Sequence, residues 1–144
     1  MSVDIENVKS RLKGHSVLTM NNTCLDAGFF NFDQSQVEVK IFTQSKIIND
    51  IVPAMLNGMA DTTLLDIPDA MVALQKWPGE IKIIGPVIDF QVMGAAVSKS
   101  SPEILHEFNK FFKQIWQDGT YRLLVEKYYP TVFLYFENFF DINQ

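Results

Sequence analysis

The apolar positions of this chain follow two periods, and the period switches several times between residues 14 and 88. "HSVLTM" (His15–Met20) is a short β-rich run behind Gly14. "QVEVKIF" (Gln36–Phe42) alternates Val37, Val39 and Ile41 against Gln36, Glu38 and Lys40, which is strand period. "TQSKIINDIVPAMLNG" turns to helical period, with Ile47, Ile48, Ile51, Val52, Met55 and Leu56 on one face. Thr43 or Ser45 is placed to cap its start and Gly58 to end it. Pro53 removes a backbone donor inside this pattern and predicts a kink. "TTLLD" is β-branched and apolar. "IPDAMVALQKW" puts Pro68 in a first helical turn behind Asp66. "GEIKIIGPVI" reads as a fourth strand, with glycine at its front and Gly-Pro at its back. Residues 1–13 form a polar lead-in, and "NNTCLDAGFFN" is a turn with a short helical stretch. The predicted order across 14–88 is β-α-β-α-β-α-β. That is an α/β class with a mostly parallel sheet and flanking helices.

The last third reads differently. "VMGAAV" is a short apolar run with the look of a strand. "SSPEILHEFNKFFKQIWQDG" predicts a long helix, opened by Ser100 or Ser101 with Pro102 and Glu103, and closed by Gly119. Its stripe is Ile104, Leu105, Phe108, Phe111, Phe112 and Ile115. A second helix, "YRLLVEKYY", starts after Thr120 and stops at Pro130, and the tail "TVFLYFENFF" is rich in aromatics.

Composition narrows the class. The 144 residues are 47% hydrophobic and 20% charged, which fits one folded domain with a real core and not a disordered chain. The net charge is −5 with both signs interspersed, so no basic footprint for nucleic acid is present. The single cysteine, Cys24, excludes an internal disulfide framework. His15 and His106 stand far apart with no ligand spacing, so neither a metal site nor another cofactor is expected. No Gly-x-Gly-x-x-Gly or Walker-type loop occurs, which removes a nucleotide site from the expectations. No run has the roughly 18 apolar residues of a spanning helix.

Candidate chemistry gathers at strand ends. In an open parallel sheet, ligands bind outside the carboxyl ends of the strands. Asn22, Thr23 and Cys24 follow the first strand, Thr43 the second and Asp66 the third. A polar turn offers N–H groups to an anion, and an aspartate beside it suits an ammonium. Together they suit a zwitterionic amino acid. A plainer reading stands next to this one: Asp66 is an N-cap for the helix at Pro68, and Asn22 and Thr23 make a turn. Asp61 lies at the opposite end of its strand and reads as a turn residue. Asp69 falls in the first helical turn, where an acid suits the dipole. Cys24 reads as a partly buried thiol, not as a nucleophile, since neither histidine carries a signature that pairs with it.

Three stretches carry a resemblance: "RLKGHSVLTMNNTCLD", "MLNGMADTTLLDIPDA" and "SSPEILHEFNKFFKQIWQDGTYRLLVEKYYP". Together they resemble the family 3 solute-binding proteins, the polar amino-acid receptors of bacterial ABC importers, from about Arg11 to Pro130. The resemblance implies a periplasmic binding protein type II-like fold, with two α/β lobes clamping a ligand. It implies that 14–90 is the second, ligand-binding lobe, and that 91–144 is a helical returning segment of the first lobe. The N-terminal half of the first lobe, with the arginine that grips the ligand carboxylate, has no counterpart here. The chain is therefore expected to be a fragment or a truncated relative.

Residue by residue, the family's ammonium-binding aspartate falls on Asp66. Its Gly-Thr-Thr turn falls on Asn22, Thr23 and Cys24, where two positions depart from the pattern and Cys24 brings a thiol, a weak donor. The implied function is non-catalytic capture of an amino acid or similar solute, for delivery to an ABC permease from an extracytoplasmic or periplasmic compartment. An enzyme on the same scaffold, such as a cyclohexadienyl dehydratase, or a sensor domain is the alternative. A returning segment without its first-lobe cover also predicts a homodimer buried through Phe108, Phe111, Phe112, Phe133 and Phe136.

Overall fold

The structure is a computed structural model that describes residues 5–88, 94–135 and 140. The chain divides into two compact units, Met1–Phe90 and Gln91–Gln144.

The first unit is a mixed α/β body around a three-stranded, fully parallel sheet. Strand β1 (Ser16–Thr19) lies in the centre, with β2 (Glu38–Ile41) on one side and β3 (Thr62–Thr63) on the other. The register pairs Ser16 with Glu38 through Thr19 with Ile41, and Val17 and Leu18 with Thr62 and Thr63. All four β1 residues are buried, and Val17, Leu18 and Thr19 have no exposed surface. A central parallel strand is covered on both faces, so it shows a continuous buried run and no alternation. β3 has only two residues, and its hydroxyls strengthen the pairing. Thr62 Oγ1 donates to the Ser16 carbonyl at 2.9 Å and Thr63 Oγ1 to the Leu18 carbonyl at 3.0 Å.

Helices α1 (Ile5–Ser10), α2 (Ile51–Leu56) and α3 (Ile67–Lys76) complete the unit. Its core joins Val17 and Leu18 to Leu12, Leu25, Phe30, Phe42, Ile51, Val52 and Leu64. A 3-10 turn over Ile48–Asp50 leads into α2, so the helix begins later than its sequence pattern suggests. Pro53 then stands in the first turn, where a backbone N–H has no partner to lose. The expected caps Thr43 and Ser45 precede that turn, and Ser45 Oγ accepts from the Ile47 N–H instead. Gly58 closes α2 as expected. It takes φ +85, its N–H reaches the Met55 carbonyl, and the Met59 N–H reaches Ala54, a Schellman ending.

The polar lead-in, to which the sequence pattern assigns no element, is partly helical, and the strand expected over 79–88 is corrected. The lead-in contains helix α1, whose Val8 is buried. The run 79–88 is not a strand. Its isoleucines still pack, with Ile81 and Ile84 against the core, but Gly85 sits at φ +132 and Pro86 has no N–H to give to a ladder. A Cβ on Gly85 would come within 2.7 Å of Val8 Cγ2, so the segment serves as packing under α1. The expected strand "VMGAAV" falls partly outside the described residues, and its described part, 94–97, is irregular.

The second unit holds α4 (Pro102–Gln117), α5 (Thr120–Tyr128) and α6 (Val132–Tyr135). Ser101 occupies the N-cap position of α4 but makes no side-chain cap bond. Gly119, at φ +80, separates α4 from α5. The aromatics pack on each other: Phe112 and Trp116 meet Tyr121 at 5.1 and 5.3 Å, and Phe140 joins Trp116 and Phe133 at 5.4 and 6.0 Å. Phe136 lies outside the described residues. Among the described residues no helix is long and apolar enough to cross a membrane.

The N-terminal ends of β1 and β3 are tied by one reciprocal clamp. Asp61 Oδ2 accepts from the Ser16 N–H at 2.7 Å and from the Ser16 hydroxyl at 2.8 Å, while Ser16 Oγ accepts from the Asp61 N–H at 2.9 Å. The two bonds from Ser16, backbone first, hold the Asp61 carboxyl below its ordinary 3.8. A depressed folded-state pKa contributes stability that is complete above the unfolded value and is lost as pH falls through the folded one. Asp61→Asn should therefore lower the unfolding midpoint clearly at neutral pH. The difference from wild type should shrink below about pH 4, as measured by denaturant unfolding across the acid range. A difference that stays constant from pH 7 to pH 2 would show that the charge on Asp61 contributes nothing to the clamp.

Candidate functional site

Because β1, β2 and β3 run parallel, their carboxyl ends open on one edge, and the segments that follow them carry the polar groups. After β1 the chain turns sharply through Asn22, which adopts φ +58, a conformation that asparagine tolerates well. Asp26 holds this turn. Its Oδ2 accepts from the Asn22 N–H and its Oδ1 from the Gly28 N–H, both at 2.9 Å. These two bonds, Asn22 first, draw the Asp26 carboxyl below its ordinary range. The Thr23 hydroxyl is also used internally: it donates to the Met20 carbonyl at 2.7 Å and accepts from the Leu25 N–H at 3.1 Å. Asn22, Thr23, Cys24, Asp26 and Phe29 line an open depression on this edge, where Phe29 is 60% exposed.

After β3 the chain passes through Leu64 and Leu65 to Asp66 at the N-cap position of α3. Its backbone is extended, as a cap requires, but its carboxylate makes no cap bond. Asp66 Oδ2 accepts a hydrogen bond from Cys24 Sγ at 3.1 Å instead. Two segments 42 residues apart are thus brought together by a thiol and a carboxylate. Burial is the first cause, and the bond to Asp66 and its negative charge are the next, that push the Cys24 thiol up to about 11. At neutral pH it is a protonated donor, which fits a packing thiol and not a nucleophile. Asp69, in the first turn of α3, is shifted upward by its own burial and then by the charge on Asp66. The edge therefore concentrates negative charge at Asp66 and Asp69, with no lysine or arginine bonded to either among the described residues.

Of the five residues expected from the sequence, the structure brings Cys24 and Asp66 into contact and sets Asn22 and Thr23 in the adjoining turn. Thr43 follows β2 on the same edge, where it is exposed and makes no side-chain hydrogen bond. Asp26 and Phe29 were missed. The available signal was the spacing Asp26-Ala27-Gly28, since an aspartate that takes the N–H two residues on is a recurrent turn device. Among the described residues no group of three or more His, Cys, Asp and Glu side chains is placed to hold a metal ion.

No protein-family model matches this chain, and no solved structure matches it.

The titration of Cys24 tests this geometry. Alkylation by iodoacetamide should be slow at pH 7 and should rise with pH toward a midpoint near 11. Asp66→Asn removes the negative neighbour and should move that midpoint down toward the ordinary 9.0, with burial keeping it from falling further. A wild-type midpoint at or below 9.0, unchanged in Asp66→Asn, would mean that thiol and carboxylate do not meet in solution.

Proposed function

We propose that the first unit is a ligand-capturing lobe of the periplasmic binding protein type II kind, and that it takes a small polar solute, an amino acid, without catalysis. The observation that carries this reading is the position of Asp66. Its carboxylate stands at the carboxyl edge of a parallel sheet, uncommitted to the helix it precedes, with a single thiol bond on one oxygen. A second acid, Asp69, is partly buried beside it. Two carboxylates that repel each other favour a cation between or beside them, and an ammonium group meets that need. The depression walled by Phe29 and the Asn22–Cys24 turn gives space for the rest of a small solute. The sequence resemblance to the polar amino-acid receptors adds the biological frame: an extracytoplasmic protein that hands its solute to an ABC permease.

Each residue then has a distinct part. Asp66 accepts hydrogen bonds from the ligand ammonium. Cys24 orients the Asp66 carboxylate by donating to Oδ2, which leaves Oδ1 for the ligand. Asn22 and Asp26 fix the turn, and Thr23 contributes its position and backbone, because its hydroxyl proton is committed to Met20. No arginine lines the depression, so the ligand carboxylate is held weakly and its affinity rests on the ammonium contact.

Calorimetry of the chain against a panel of amino acids tests the proposal. Binding should be weak, in the range of about 0.1–10 mM, because one end of the ligand has no charged partner. Asp66→Ala should cost about 2 kcal/mol or more and take binding below detection while the fold survives. An amine without a carboxylate should retain most of the affinity. Equal affinities for wild type and Asp66→Ala, or preference for a carboxylate lacking the amine, would overturn the assignment.

A further inference from the structure

Helix α4 carries its apolar residues on one face, and the N-terminal half of that face is open. Toward its C-terminal end the face is used, since Phe112 and Trp116 pack on Tyr121 of α5. Ahead of that contact Ile104 is 54% exposed, Leu105 43%, Phe108 39% and Phe111 56%. Four large apolar side chains on successive turns make a continuous patch of the kind that marks an interaction surface.

The polar border of the patch selects its occupant. Glu103, Glu107, Lys110 and Gln114 recur at intervals of four, three and four residues, so they form one row along the edge of the apolar face. The row is acidic before Phe108 and turns basic after it. Neither Glu107 nor Lys110 is ion-paired among the described residues. A row that reverses sign at its middle is complementary to itself when a second copy runs in the opposite direction. A two-fold axis near Phe108 sets Ile104 and Leu105 of one copy against Phe108 and Phe111 of the other. It also brings Glu107 beside Lys110 of the second copy, twice by symmetry. A lipid surface would call for a border basic along its whole length, whereas this row is acidic at Glu103 and Glu107.

We propose that the exposed face of α4 docks on α4 of a second copy of this chain, antiparallel. The expected homodimer surface is thereby narrowed to the exposed Ile104, Leu105, Phe108 and Phe111, since Phe112 and Phe133 are partly covered in the aromatic cluster of their own unit, which Phe108 borders through Phe112 at 6.1 Å.

Light scattering with the full chain from about 10 µM to about 500 µM, the range in which so small an interface becomes visible, should show the mass rising toward twice that of the monomer. Phe111→Glu should hold the chain monomeric with an unchanged circular dichroism spectrum. Glu107→Lys and Lys110→Glu should each weaken association about three- to tenfold by turning two attractive contacts into repulsive ones. Mixing these two variants should restore it as a heterodimer, because opposite charges then meet across the interface. That restoration cannot arise from contacts inside one helix. A monomer throughout the range, association unaffected by Phe111→Glu, or a mixture no tighter than either variant alone would overturn the proposal. So would a monomer whose Phe108 and Phe111 are covered by its own chain or by lipid vesicles.

Discussion

Burial of one four-residue strand organises the first unit. β1 is paired on both sides and covered on both faces, and its Val17, Leu18 and Thr19 have no contact with solvent. Every polar group in such a strand needs an internal partner, and each is found in a neighbour: the ladder to Glu38–Ile41, the hydroxyls of Thr62 and Thr63, and Thr19 Oγ1 on the Lys40 carbonyl. β2 and β3 are short and partly exposed, so they depend on β1 more than it depends on either of them.

The two ends of the sheet have different chemistry, and the aspartates on either side of β3, Asp61 and Asp66, serve differently. At the amino end, Asp61 is fully engaged with Ser16 and acts as a fastening between strands. At the carboxyl end, Asp66 takes one thiol bond and no backbone cap. The carboxylates are similar, but their unused capacity is not. Asp61 has its negative charge met by the strand it borders, whereas Asp66 meets only the Cys24 thiol of the polar turn and has a second acid, Asp69, beside it. The unused acceptor capacity therefore lies at the second end.

Much of the sheet was readable because period and position agree: the β-rich run at 15–20, the alternation at 36–42 and the Gly58 ending all appear where the pattern puts them. The run 79–88 misleads because Ile81 and Ile84 pack against the core whether or not the segment pairs. Its backbone is decided by Gly85 and Pro86, which local hydrophobicity does not weigh. The start of α2 lies later than its pattern suggests for a related reason, since a 3-10 turn preserves the apolar face while using different hydrogen bonds. In the site, chain topology alone brought Asn22–Cys24 and Asp66 to one edge. The choice of Cys24 over the helix N-terminus as the partner of Asp66 could not be read in advance, because both partners lie within reach of the same carboxylate in the sequence pattern. Only the fold sets their distances.

The central claim is that the carboxyl edge of the sheet, and not the clamped amino edge, receives a ligand. Amide chemical-shift mapping by nuclear magnetic resonance, with a polar amino acid added to the chain, tests it most directly. The account predicts perturbations concentrated in residues 20–29 and 64–70, with Ser16, Thr62 and the amide of Asp61 unchanged. Shifts centred on Ser16 and Asp61, or none at saturating amino acid, would contradict it.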